Sequence, residues 1–237
     1  MNRKNEYDNL LCRYAKLLFE KNKLIIRDGP YIEARYLFYF GDLMIEELSH
    51  NKTLKELKIK QRIYENYFGL KRDKEIKKIG DEINRHTELL SKQINELERK
   101  CNNSKDILKL RKENEQNINS IDELFFDVIL KVHPFIYDLK NDTLWERAKN
   151  AYLNYDEGTL ILLKNLNIKK SKKLDINTLE SEIFSLQNEI ICMKKKYPYY
   201  LEKNLSSDSW INSYDKEINE RIKKLQFEEK QIFEKLV

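Results

Sequence analysis

The sequence predicts an all-α protein, and three observations carry that expectation. Apolar residues recur at three- and four-residue spacing along most of the chain. Five glycines and three prolines in 237 residues leave too few turn formers for a sandwich, a barrel or a doubly wound sheet with glycine-rich loops. Charged residues make up 36% and hydrophobic ones 41%, which suits long amphipathic helices with solvated outer faces around a thin core. The expected architecture is elongated, with helical and coiled-coil hairpins and one small helical domain. Three consecutive regions follow: an N-terminal helical and coiled-coil region at 1–119, a compact helical domain at 120–166, and a C-terminal helical hairpin at 167–237.

In chain order, Leu10, Leu11, Tyr14, Leu17 and Leu18 set one face of a helix over residues 6–26. Asp28-Gly29-Pro30 is expected to end it, with Gly as the C-terminal cap and Pro opening the next helix. From Tyr31 the sequence turns aromatic. Ile32, Tyr36, Tyr39 and Phe40, continued by Leu43, Met44 and Leu48, make a stripe suited to a core. Leu54, Leu57, Ile63 and Tyr64 extend the pattern to a break at Phe68-Gly69.

Ile76, Ile83, Leu90 and Leu97 then fall seven apart, with Ile79, Ile94 and Cys101 at the second seam position. Two apolar residues per heptad is a coiled-coil spacing, weakened here by Gly80 and His86. Such a seam finds its partner in residues 31–68 or in a second copy of the chain, so a homodimer is one expectation. Residues 102–119 are polar and Asn-rich, the composition of a flexible link or a weakly held helix.

A short amphipathic helix follows through Ile121, Leu124, Phe125, Val128 and Ile129 to Val132-His133-Pro134. A loop through Asp138, Asn141 and Asp142 leads to a helix starting near Thr143. Further on, Ile176, Leu179, Ile183, Leu186, Ile190, Met193, Tyr197 and Tyr200 keep 3-4 spacing until Pro198 stops the helix. After a connector near 203–209, Ile211, Ile218, Leu225 and Ile232 repeat every seven residues. Two stripes joined by a short connector are expected to fold back as an antiparallel hairpin, although the same stripes serve an intermolecular coiled coil.

Composition narrows the function classes. Lys and Arg number 45 against 40 Asp and Glu, a net +5, and the two signs alternate rather than forming the basic face of a duplex-binding domain. Cys12, Cys101 and Cys192 are distant and odd in number, as expected of reduced thiols in a cytoplasmic protein. No window approaches 18 uncharged apolar residues, and no apolar stretch follows Met1 to Glu6, so neither a membrane span nor a signal peptide is expected.

Catalytic constellations are missing from the sequence. His50, His86 and His133 stand apart without metal-ligand spacing, and there is no phosphate-binding Gly-Lys loop and no Gly-x-Ser-x-Gly elbow. Glu46-Glu47 and Glu228-Glu229 read as surface charge. A non-enzymatic chain without cofactor or metal is expected. Two lysine clusters, Lys169, Lys170, Lys172 and Lys173 around Ser171, and Lys194, Lys195 and Lys196 before Tyr197, Tyr199 and Tyr200, could meet a nucleic-acid backbone and stack bases. Lysines at helix ends also complement the macrodipole, and that reading makes nucleic acid an unlikely partner.

The helix ending in Val132-His133-Pro134, its loop, and the following Leu144-Trp145-Glu146-Arg147-Ala148 with Ala151-Tyr152 resemble the core of a J domain. The turn Tyr155-Asp156-Glu157-Gly158 and the apolar Leu160 to Leu163 extend the likeness to a group of bacterial proteins in which a degenerate J-like domain follows a long helical region. Upstream, Gly29 through Gly41 and Leu57-Lys58-Ile59-Lys60-Gln61 fall in the order of that group. The resemblance implies a chaperone-related adaptor or scaffold that works through protein partners. Two departures stand out. The loop reads His133-Pro134-Phe135 where the J signature is His-Pro-Asp, and the preceding helix carries Asp122, Glu123 and Asp127 against Lys131 where functional J domains are commonly basic. Both remove features used to stimulate a DnaK-type ATPase, so contact with such a chaperone is expected to be weak at most, and His133-Pro134 is expected to cap a helix and set the turn.

Overall fold

The computed structural model describes residues 3–66, 73–137, 143–168 and 175–236. The Phe68-Gly69 break, the loop residues Asp138, Asn141 and Asp142, the side chains of Ile76 and Ile79, and the cluster Lys169, Lys170, Lys172 and Lys173 lie outside the described residues. The protein is all-α, with no strand among the described residues. In order the helices are α1 (Arg3–Lys23), a π-helical segment (Leu24–Asp28), α2 (Gly29–Asn66), α3 (Asp73–Glu113), a 3-10 turn (Glu115–Asn117), α4 (Ile118–Val132), α5 (Pro134–Tyr137), α6 (Thr143–Leu153), α7 (Glu157–Lys164), α8 (Ile176–Lys194), α9 (Leu201–Asn204) and α10 (Asp208–Leu236).

These helices gather into two compact units built from non-contiguous stretches: 1–33 with 106–202, and 34–105 with 203–237. The first of the three regions read from the sequence, 1–119, thus contributes to both units, and so does the third, 167–237.

The first unit buries its core between α1, α4, α6, α7 and α8. Leu11, Tyr14, Ala15 and Leu18 of α1 meet Leu179, Ile183 and Leu186 of α8, while Phe125, Val128, Ile129 and Val132 of α4 meet Trp145, Ala148 and Tyr152 of α6 and Leu160 and Leu163 of α7. Asp156 caps α7 by accepting from the Thr159 N–H at 2.9 Å, and Asp175 caps α8 through Thr178 N–H at 3.3 Å. Lys21 pairs with Glu189 at 2.5 Å, Lys194 with Glu20 at 2.6 Å, and the Tyr199 hydroxyl donates to the Leu24 carbonyl at 3.2 Å. Increasing numbers on both sides show that α1 and α8 run parallel. The expected hairpin of residues 176–200 with 211–236 is therefore corrected: the stripe of α8 is covered by α1, and α10 belongs to the second unit. The stripe defines an apolar face but carries no label for its partner, and Leu11, Tyr14 and Leu18 offer a matching face.

In the second unit α2 and α10 run parallel and α3 runs antiparallel to α2. Tyr36 meets Tyr214 at 3.0 Å between hydroxyls, Glu47 grips the Arg221 guanidinium through Nε at 2.6 Å and Nη2 at 3.1 Å, and His50 Nδ1 lies 2.9 Å from Glu229. Phe40, fully buried, meets Trp210 and Tyr214 edge-on at 5.8 and 4.9 Å. On the other side, Gly41 packs on Cys101 and Arg62 pairs with Glu82. A Cβ on Gly41 would come 2.5 Å from the Cys101 sulfur, so glycine sets the spacing of these two helices. Cys101, a seam position of α3, thus meets α2 of the same chain; Cys101, Ser104 and Thr87 are buried on α3, while His86 is exposed.

Several local expectations change. The aromatic stripe buries Ile32, Tyr36 and Phe40, but Tyr39 is exposed. Residues 102–113 are not a link: α3 continues through them to Glu113. Glu47 and Glu229 are not idle surface charge, since each pairs across α2 and α10. Asp28-Gly29-Pro30 does not end a helix. Gly29 is right-handed at φ −60°, and its N–H bonds the Leu24 carbonyl five residues back. Pro30 has no N–H and would clash with the carbonyl of Ile26 in a regular α-turn; one wider π-turn accommodates it. Glycine is needed at 29 because a Cβ there would sit 2.9 Å from both the Leu24 oxygen and the Tyr199 hydroxyl.

Candidate functional site

The His133-Pro134-Phe135 corner is built where α4 meets Pro134. A residue before proline is driven out of the helical region, and His133 accordingly adopts φ −65°, ψ 126° while its N–H still bonds the Ile129 carbonyl. Pro134 opens α5, and the Ile136 N–H returns to the His133 carbonyl at 3.0 Å. Beyond, α6 runs back along α4. Phe125 stacks on Tyr152 with ring centres 4.0 Å apart and on Trp145 at 5.8 Å, and His133 meets Trp145 edge-on at 4.8 Å. Small Ala148 and Ala151, both buried, allow the close approach.

The corner points inward. The Phe135 ring lies 4.9 Å from that of Tyr14, and His133 lies between Tyr14 and Trp145. Burial, with Lys21 and Lys149 adding to it, pulls the His133 pKa down to about 4, so the ring is neutral at ordinary pH. Its Nδ1 is buried without a hydrogen-bond partner. The acidic face of α4 is occupied as well: Asp127 pairs with Lys164 at 2.8 Å, and Asp122 accepts from Lys23 and Arg27, both at 2.6 Å, and from the Tyr152 hydroxyl at 2.7 Å. Glu123 is exposed beside Phe19, Phe126 and Lys16 in a shallow groove.

Asp122 leads to a polar cluster that sequence patterning missed. Arg27, on the π-helical segment, is only 4% exposed, and its guanidinium lies between the rings of Tyr152 at 4.6 Å and Tyr155 at 4.3 Å. Arg111, from the end of α3, lies over Tyr31 at 5.0 Å and hydrogen-bonds Tyr155. Asp28 sits among Lys23, Arg111 and Arg27, and burial raises its pKa. Tyr155 holds a left-handed φ of 55°, uncommon for a residue with a Cβ. The one signal in the sequence was a proline inside a continuous apolar pattern, because a helix that tolerates proline must open its backbone nearby.

The second lysine cluster is split. Lys194 is paired with Glu20, whereas Lys195 and Lys196 are exposed past the end of α8. The Tyr197 hydroxyl donates to Glu33 at 3.2 Å and the Tyr199 hydroxyl to Leu24, and Tyr200 is exposed. Among the described residues no group of His, Cys, Asp and Glu could hold a metal ion, and no helix is long and apolar enough to cross a membrane. Comparison of the chain with protein-family models, with curated proteins and with solved structures finds no match.

Proposed function

We propose that this chain is a non-enzymatic protein-interaction scaffold whose α4–α6 pair is a degenerate J-like domain, working as a chaperone-associated adaptor without stimulating the chaperone. The observation that carries this reading is the inward packing of His133-Pro134-Phe135 on Tyr14 and Trp145. A signature that activates a partner has to present its polar groups to that partner, and here the His133 Nδ1 is buried between aromatic rings. The engagement of Asp122 and Asp127 in internal ion pairs supports it further, because the helix face before the loop offers acid where an acidic partner surface would require base. The three free cysteines fit a reducing, cytoplasmic setting.

The test is a single-turnover ATPase assay with the DnaK-type chaperone of the same host. No acceleration is expected from the parent chain. Several-fold acceleration would overturn the reading. Direct titration of the same chaperone, in its ATP and ADP states, checks the adaptor part: saturable binding without stimulation is expected, and binding that requires residues 133–135 to leave the core contradicts it.

A further inference from the structure

We propose that the corner between Arg27 and Arg111 binds a phosphate group, either free or as the monoester of a small molecule. Arg27 uses only Nη1 within the chain, on Asp122; its Nε and Nη2 are buried with no hydrogen-bond partner. Those two N–H groups form the edge of the guanidinium that grips two oxygens of an oxyanion side by side. Buried donors in folded proteins are nearly always paired, so two unpaired ones on one rigid edge point to a ligand. A third comes from Arg111, whose Nη1 is also buried and unpaired. Both guanidinium groups meet the same residue, Tyr155, Arg27 over its ring and Arg111 by a hydrogen bond.

The geometry selects the ligand class. Three N–H groups from two directions suit the three oxygens of a phosphoryl group, whereas a carboxylate offers two. Arg27 lies stacked between Tyr152 and Tyr155, which fixes its plane, and the π-helical turn is what turns it inward at this level. The charge balance also favours an anion. Lys23, Arg27 and Arg111 face Asp28 and Asp122, and Asp122 is already satisfied by Lys23, Arg27 and Tyr152. Asp28 is the remaining carboxyl; burial raises its pKa while Lys23, Arg111 and Arg27 oppose the rise, and the three cations outnumber the two acids. Arg27 is buried, while Arg111, Tyr31 and Tyr155 are half-buried.

Isothermal titration of the full chain with inorganic phosphate and, separately, phenyl phosphate, at ionic strength matched with sodium chloride, tests the proposal. Saturable binding of at least one is expected, with acetate as a much weaker control. Binding of both assigns a free anion, and binding of phenyl phosphate alone assigns a monoester. Arg111→Gln should weaken binding about tenfold or more, the loss expected for one charge-assisted hydrogen bond. Arg27→Lys, which keeps the charge and removes the two-pronged edge, should do the same; if it unfolds, the half-exposed Arg111 variant still decides. No binding above the chloride control overturns the site. So does acetate binding as tightly as phosphate, or an Arg111→Gln protein that binds like the parent, which would mark an adventitious ion only.

Discussion

His133 couples stability to pH through its burial. Its folded pKa of about 4 lies below the ordinary value of 6.5, so between those values the unfolded chain binds a proton that the folded chain refuses. Stability contributed by the neutral ring is complete above pH 6.5 and falls as pH drops toward 4, by about 3 kcal/mol in all. Urea midpoints measured from pH 7 to 4 should show this slope, and His133→Phe should flatten it; an unchanged slope in the variant would place the titration elsewhere. Gly41 tests the other close contact. Alanine is the better helix former by roughly 0.5–1 kcal/mol, but a Cβ 2.5 Å from the Cys101 sulfur forces the helices apart, and overpacking costs typically 1–3 kcal/mol. Gly41→Ala should therefore lower the melting temperature, and Gly41→Ala with Cys101→Ala should recover part of the loss. Equal melting of Gly41→Ala and parent would show that the helices yield freely.

At the scale of the element, a stripe of apolar residues specifies a buried face and leaves its partner open. Ile183 and Leu186 are 4% and 5% exposed in the core with α1. Asp at either should unfold the first unit or lower its melting point by many degrees, since an unpaired buried charge costs several kcal/mol. The matching test of the partner is Leu11→Asp or Leu18→Asp on α1, which should destabilise to a similar degree. If α1 variants melt like the parent while α8 variants do not, α8 is covered by something else. The π-helical turn is an element-scale response to one residue, Pro30, and it places Arg27 where a regular helix would have aimed it differently. That is how a breaker signal in the sequence becomes a buried guanidinium in the fold.

At the scale of the molecule, the chain crosses between its two units within α2, within α3 and at α9. Such an arrangement ties distant sequence segments together, as Glu47 with Arg221 and His50 with Glu229 illustrate. The proposed adaptor role is tested here too. Phe135→Asp restores the letters of the J signature but places a half-buried carboxylate against the ring of Tyr14. Its expected outcome is a lower melting temperature and still no acceleration in the single-turnover ATPase assay; a stable Phe135→Asp protein that accelerates hydrolysis several-fold would show that the loop turns outward and that the core packing described for it is not maintained.

Periodicity by itself determined the helical class and the identity of most core residues. Each of these depends on local spacing: Ile121, Phe125, Val128 and Ile129 must share a face once the segment is helical, whatever they meet. The candidate site was legible only in part, because Trp145, Ala148 and Tyr152 could be matched to α4 across a short loop, while the inward turn of His133 and Phe135 depended on Tyr14, more than a hundred residues away. Tertiary structure alone decided that α8 pairs with α1, that α3 pairs with α2, and that Arg27, Asp28, Arg111 and Tyr155 meet. The physical reason is that hydrophobic burial is non-directional. It drives every stripe to be covered, and the choice among equivalent covers falls to steric fit, as at Gly41 and Cys101, and to the few buried charges that have to find one another.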